Sequence, residues 1–209
     1  MNLSKALQNP FDSGSLFSEA ASIIARFTAA ALRHAVAGFL GAVIVYLSML
    51  ATSAPMSYGE MQSIDNAVAM LESKGFDREV FFLRHVATYR SGDNWINSYA
   101  VPSENAFAAT NFPFGVITVY PDFFSKAADD TERAMILLHE AQHLQGSNEA
   151  DAYGYVWRNR ERLGWTQVSH GETETYVAVE QQTREYVPDM FTCRARLWND
   201  CTQIAKNEK

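Results

Sequence analysis

Between Ala35 and Gly59 the chain reads AVAGFLGAVIVYLSMLATSAPMSYG and carries no charged side chain. Its apolar part, Ala35 to Ala51, extends with its small and polar neighbours over roughly 20 residues, enough for a helix to cross the ~30 Å hydrocarbon core of a bilayer. A helix buried in a soluble core normally shows charges on one face, and this run shows none on any face. The predicted element is a transmembrane helix over residues 35–55. A cleaved signal peptide is the rival reading, with Thr52 and Ala54 as small residues for a signal peptidase. However, the preceding region is 34 residues long, and the apolar run exceeds the ~7–15 residues of a signal-peptide core. An uncleaved signal anchor is expected.

Charge sets the expected orientation. Arg26 and Arg33 lie on the N-terminal flank, while Glu60, Asp65 and Glu72 outnumber Lys74 on the other, so the positive-inside rule keeps the N-terminus cytoplasmic. The C-terminal domain is then periplasmic or extracellular. Net charge is -7; Lys5, Arg26 and Arg33 against Asp12 and Glu19 give the first 34 residues +1, which leaves -8 for the part after residue 55. That balance argues against nucleic-acid binding. Cys193 and Cys201 are the two cysteines; in an oxidising compartment they could close a short loop worth roughly 2–3 kcal/mol.

The expected organisation has three parts: a cytoplasmic tail and amphipathic segment over 1–34, the signal anchor over 35–55, and one folded domain over 56–209. Residues 1–17 are rich in Asn, Pro, Ser and Gly and read as a loose tail. The stretch EAASIIARFTAAALRH has apolar residues at helical spacing; it suits a helix on the inner leaflet or a plain extension of the span. Met61, Ile64, Val68 and Leu71 repeat at three- and four-residue steps and predict an amphipathic helix that ends at Gly75. Asp77 can cap a second helix through FFLRHVATYR. From Asn94 to Tyr120, Pro102, Asn105, Asn111, Pro113 and Gly115 punctuate runs such as WINSYAV and GVITVY, which predicts two or three short strands. DDTERAMILLHEAQHLQG then opens with capping residues and stops at Gly146. Ser147 can cap the next helix, which Gly164 ends, and a further helix is expected from about Glu172 to Tyr186, before Pro188. The fold class is α+β, mostly helical, with a small strand element ahead of the histidine helix. Trp157, Trp165 and Trp198 are expected in the core.

The histidine helix carries the chemistry. His139 and His143 are four residues apart, so both rings leave one helix face and can point at a single ion. Glu140 is turned by about one hundred degrees, which sets its carboxylate beside that ion. Zinc held so lowers the pKa of its bound water toward ~7, and an adjacent carboxylate can take the proton as that water attacks a carbonyl. Zinc needs a third protein ligand, and past Gly146, where the chain can swing back, Glu149 supplies one. Asp151 is the alternative; two residues differ by about 200° around a helix, so both cannot face the same ion if that helix has begun. Asp151 could then accept a ring N–H from a ligating histidine.

HEAQHLQGSNE resembles the metzincin zinc signature HExxHxxGxxH, with Glu149 in place of the last histidine. GSNEADAYG also resembles the aspzincin motif GTxxDxxYG, with Ala150 where that family has its Asp ligand. The resemblance covers His139 to Gly154 and implies a zincin-like fold and a zinc peptidase acting on peptide or protein substrates. It also implies a methionine turn below the metal, for which Met190 is a candidate, although a lone Met after a proline is more often core packing. An edge strand that pairs with extended substrate is implied as well, a part suited to GVITVY, which also reads as an ordinary sheet strand. Hydrolysis makes a negative oxygen that a donor should stabilise; Tyr153, Tyr155, His170, Tyr176 and Arg184 follow the ligands, and His170 and Tyr176 are taken as catalytic candidates beside Glu140. The competing function is a membrane-tethered binding or scaffold domain with a structural or vestigial metal site, since HExxH also arises in helices whose histidines are satisfied by hydrogen bonds.

Overall fold

A computed structural model of the chain describes residues 13–100, 106–194, 196 and 199–202. The chain divides into two compact units, residues 1–48 and 49–209.

The first unit consists of most of helix α1 (Ser13–Thr52). Its 40 residues rise about 60 Å, twice a bilayer core. The stretch Ala21–Thr52 is long and apolar enough to cross a membrane, and Ile24, Phe27, Phe39 and Ile44 are exposed along it. A core helix would bury such side chains. The helix runs unbroken through the 34/35 boundary. Ser13 to Phe17, expected as loose tail, are already helical; residues 1–12 lie outside the described residues.

The second unit is mostly helical with a small sheet. Helix α2 (Tyr58–Ser73) opens with a capping box in which Ser57 Oγ accepts from the Glu60 N–H and the Glu60 carboxylate accepts from the Ser57 N–H. It buries Ile64, Ala67, Val68 and Leu71. Helix α3 (Asp77–His85) begins without a side-chain cap, Asp77 being its first helical residue. It stops at His85, and Thr88–Arg90, read as its end, form strand β1. WINSYAV, read as a strand, instead contributes the short helix α4 (Asn97–Ala100); Pro102 and Asn105 lie outside the described residues. Strands β2 (Ala108–Asn111) and β3 (Val116–Val119) complete a sheet of order β1-β3-β2, with β1 parallel and β2 antiparallel to β3. All four β3 residues are buried. GVITVY is therefore the central strand, and among the described residues the edge on the histidine-helix side is β2, which packs against that helix.

The remaining helices are α5 (Pro121–Ser125), α6 (Asp130–Leu144), α7 (Glu149–Leu163), α8 (Gln167–His170) and α9 (Glu174–Tyr186), followed by a 3-10 turn, Pro188–Phe191. Helix α6 is central: α2, α3, α7 and β2 all pack on it, and Met135, Ile136, Leu137 and Leu138 are all buried. A side chain of that size stabilises by about 1.5–3 kcal/mol when fully buried, which explains the unbroken apolar run in the middle of α6. Trp157 and Trp165 sit in the core beside Tyr176; Trp198 lies outside the described residues. The Cys193 and Cys201 sulfurs are 2.20 Å apart, at disulfide-bonding distance. Next to that link, Asp200 forms a buried ion pair with Arg160 and accepts from Trp157 Nε1.

Candidate metal centre

Helix α6 ends in a turn that builds the site. Gly146 adopts φ 86°, a left-handed conformation that favours glycine. Its N–H donates to the His143 carbonyl, and the Ser147 N–H donates to that of Gln142, the two bonds of a Schellman motif. The chain reverses there and enters α7, whose cap is Asn148, one residue beyond the expected Ser147; the Asn148 side chain accepts from the Asp151 N–H. Glu149 is thereby the first residue of α7, where the positive end of the helix dipole favours a carboxylate. The turn also orients a ring: His143 Nδ1 lies 2.9 Å from the Ser147 carbonyl. Its N–H donates there, leaving Nε2 to face the cleft.

Three side chains converge. His139 Nε2 and His143 Nε2 are 3.0 Å apart, Glu149 Oε2 is 3.3 Å from the first and Glu149 Oε1 is 3.4 Å from the second. Ligands bound tetrahedrally at ~2.0–2.1 Å stand about 3.3 Å from each other, so the spacing fits a zinc ion. Two unprotonated ring nitrogens at this distance repel unless a cation or proton lies between them, which makes the donor set suited to a metal. Burial pulls the His143 ring toward its neutral form, but the Glu149 hydrogen bond, the Glu140 charge and the Ser147 carbonyl outweigh it and lift the ring to about 9. Hydrogen bonds from His139 and His143 hold the Glu149 carboxyl well below the usual carboxylate range.

The group opens into a cleft of about 810 Å³. Glu140 lines it and is 4% exposed, and Thr110 Oγ1 donates to Glu140 Oε2 at 2.7 Å. The Tyr153 ring packs 4.3 Å from that of His139 and stacks on Tyr186 at 5.3 Å. Burial, then the Glu149 and Glu140 charges, push the Tyr153 hydroxyl up, so it remains protonated and a donor at neutral pH. Residues 106–110, which include the first three residues of β2, form one wall of the cleft, and α9 side chains such as Gln182 and Tyr186 contribute to the other.

Some expected site residues lie elsewhere. Asp151 is exposed and outside the converging group, as the 200° offset from Glu149 requires. His170 is buried at the other end of α6, where its Nε2 pairs with Asp129 at 3.1 Å and its Nδ1 with the Ser169 hydroxyl. Asp129 is the cap of α6, so His170 braces a helix end about 15 Å from His139. Tyr176 is 2% exposed and packed against both core tryptophans. Neither lines the cleft. Of the other donor candidates Tyr153 alone reaches the cleft; Tyr155 donates to Glu79, and Arg184 pairs with Glu180. Met190 is buried in the core with Arg158 against its sulfur and does not line the cleft. Thr110 and Tyr186 are cleft residues with no local sequence signal: only the packing of β2 and α9 brings them to the site.

No family model matches the chain, and no curated protein or solved structure matches it either.

Proposed function

We propose that the chain is a membrane-anchored zinc peptidase with a zincin-like domain, and that residues His139, His143 and Glu149 hold the metal. The observation that carries this reading is the convergence of three side chains, whose facing nitrogen and carboxylate oxygen atoms meet at 3.0–3.4 Å, at a cleft that also contains the buried Glu140 carboxylate. Zinc held there supplies a Lewis acid and lowers the pKa of a coordinated water toward ~7. Glu140 accepts a proton from the attacking water as oxygen adds to the peptide carbonyl carbon, then passes it to the leaving nitrogen when the C–N bond breaks. The Tyr153 hydroxyl donates to the carbonyl oxygen as negative charge develops. Among the described residues β2 is an edge of the sheet, and an extended peptide would pair with that edge, the part expected of GVITVY.

Helix α1 is the anchor in this reading, with Arg26 and Arg33 keeping the N-terminus cytoplasmic and the domain outside. The Cys193–Cys201 link supports an oxidising compartment.

The test uses the full chain in detergent micelles with equimolar zinc and an unfolded protein substrate. Wild type is expected to cleave, while Glu140→Gln keeps stoichiometric zinc and loses roughly 10²–10⁴-fold in rate. Cleavage that persists in Glu140→Gln, or a chain that holds no zinc, overturns the proposal. Zinc without cleavage in wild type would leave an anchored binding domain.

A further inference from the structure

Glu140 has three rotatable bonds and, as a base, must hold one carboxylate oxygen toward the incoming water. Its backbone is fixed by α6, and its side chain is held from across the cleft. Successive strand residues point to opposite faces, and β2 packs on α6 through the face that carries Ala108 and Thr110. Asn111 points the other way, into a buried network in which its side chain bonds Asn94 and Asn97, and Asn97 in turn bonds Thr118 of β3. Thr110 therefore stands on a strand pinned from behind, and its hydroxyl reaches Glu140 Oε2 at 2.7 Å, the short distance of a bond to a charged acceptor. Among the described residues it is the one group that donates to this carboxylate, and Oε1 is left for a water in the cleft.

We infer that Thr110 is the positioning residue of the catalytic base: its hydroxyl fixes the plane of the Glu140 carboxylate and directs Oε1 at the attacking water. The inference rests on the peptidase reading. A threonine is suited to the task because its hydroxyl donates without bringing a charge that would neutralise the base, and its branched Cβ restricts the rotamer. Thr110→Val keeps the shape and removes the donor, while Thr110→Ser keeps the donor.

Two measurements on the full chain test this. In steady-state cleavage with zinc present, Thr110→Val is expected to lower kcat roughly 10- to 100-fold, the worth of a hydrogen bond to a charged group, with KM within about twofold of wild type. Thr110→Ser is expected to restore most of kcat, and the zinc affinity of all three is expected to agree. A residue that served only to seat the substrate would move KM instead. The second measurement needs no activity: a double-mutant cycle of Thr110→Val and Glu140→Ala, read as denaturation midpoints, is expected to be non-additive because each single substitution removes the one bond the pair shares. An unchanged kcat in Thr110→Val, or an additive cycle, overturns the inference. If wild type binds zinc but cleaves nothing, the peptidase reading fails, and a coupled cycle would then mark a structural bond without a catalytic role.

Discussion

Histidine–carboxylate contacts of nearly equal length stand toward both ends of one helix. At the start of α6, His170 meets Asp129 at 3.1 Å, and near its end His139 and His143 meet Glu149 at 3.3 and 3.4 Å. The partners' other commitments make them different objects. Asp129 also accepts from the backbone N–H groups of Thr131 and Glu132, and the second nitrogen of His170 faces Ser169. Burial raises the Asp129 carboxyl, but the hydrogen bonds from Glu132, His170 and Thr131 prevail and lower it. The pair is a helix cap with an added brace. Glu149 instead meets an imidazole with each oxygen, and His143 spends its outward nitrogen on a backbone carbonyl so that the other remains available. The two ends thus differ in the number of lone pairs left to converge on one point, and contact length alone does not distinguish them.

Four experiments bear on that distinction, beginning with the largest effect. His143→Ala is expected to weaken zinc binding by far more than the roughly 10–100-fold that loss of a supporting partner costs, whereas His170→Ala leaves zinc binding unchanged; competition against a chelator compares them. Glu149→Gln should likewise strip zinc and Asp129→Asn should not. The cost of the second end falls on stability: Asp129→Ala is expected to destabilise the folded unit by about 1 kcal/mol through its lost cap, as measured by denaturation. The fourth experiment is a pH dependence. His143 is raised from 6.5 to about 9, so its contribution to the metal-free protein is complete below pH 6.5 and is lost as pH rises to 9. Glu149 is lowered, so its contribution is lost as pH falls through the acid range. The metal-free melting temperature should therefore decline from pH 6.5 to 9, with a flatter profile in His143→Ala. At fixed zinc the trend reverses, because the metal competes with protons for the same nitrogens.

Much of this site is local in the sequence. His139, His143, Gly146 and Glu149 lie within one helix end and one turn, so their spacing already carries the geometry. Helix ends were legible for the same reason: Gly146 and Gly164 adopt the left-handed conformations expected of them. The misread parts depend on distant partners. Thr88–Arg90 continue an apolar helical pattern but pair with β3, twenty-eight residues on in register. GVITVY has the alternation of a strand, yet whether it is central or at an edge is decided by β1 and β2 on either side. His170 and Tyr176 follow the ligands in the chain, but α8 and α9 carry them away from the cleft, to the α6 cap and the tryptophan core. Thr110 has no local signal, because its partner Glu140 is thirty residues away.

The central claim is that His139, His143 and Glu149 share one zinc ion, and zinc X-ray absorption on the full chain, purified without chelator, tests it most directly. Stoichiometric zinc surrounded by nitrogen and oxygen at ~2.0–2.1 Å, with two imidazoles in the shell and no sulfur, is the expected result, and it disappears in His143→Ala. A chain that carries no zinc, or zinc whose surroundings are the same in wild type and His143→Ala, contradicts the account.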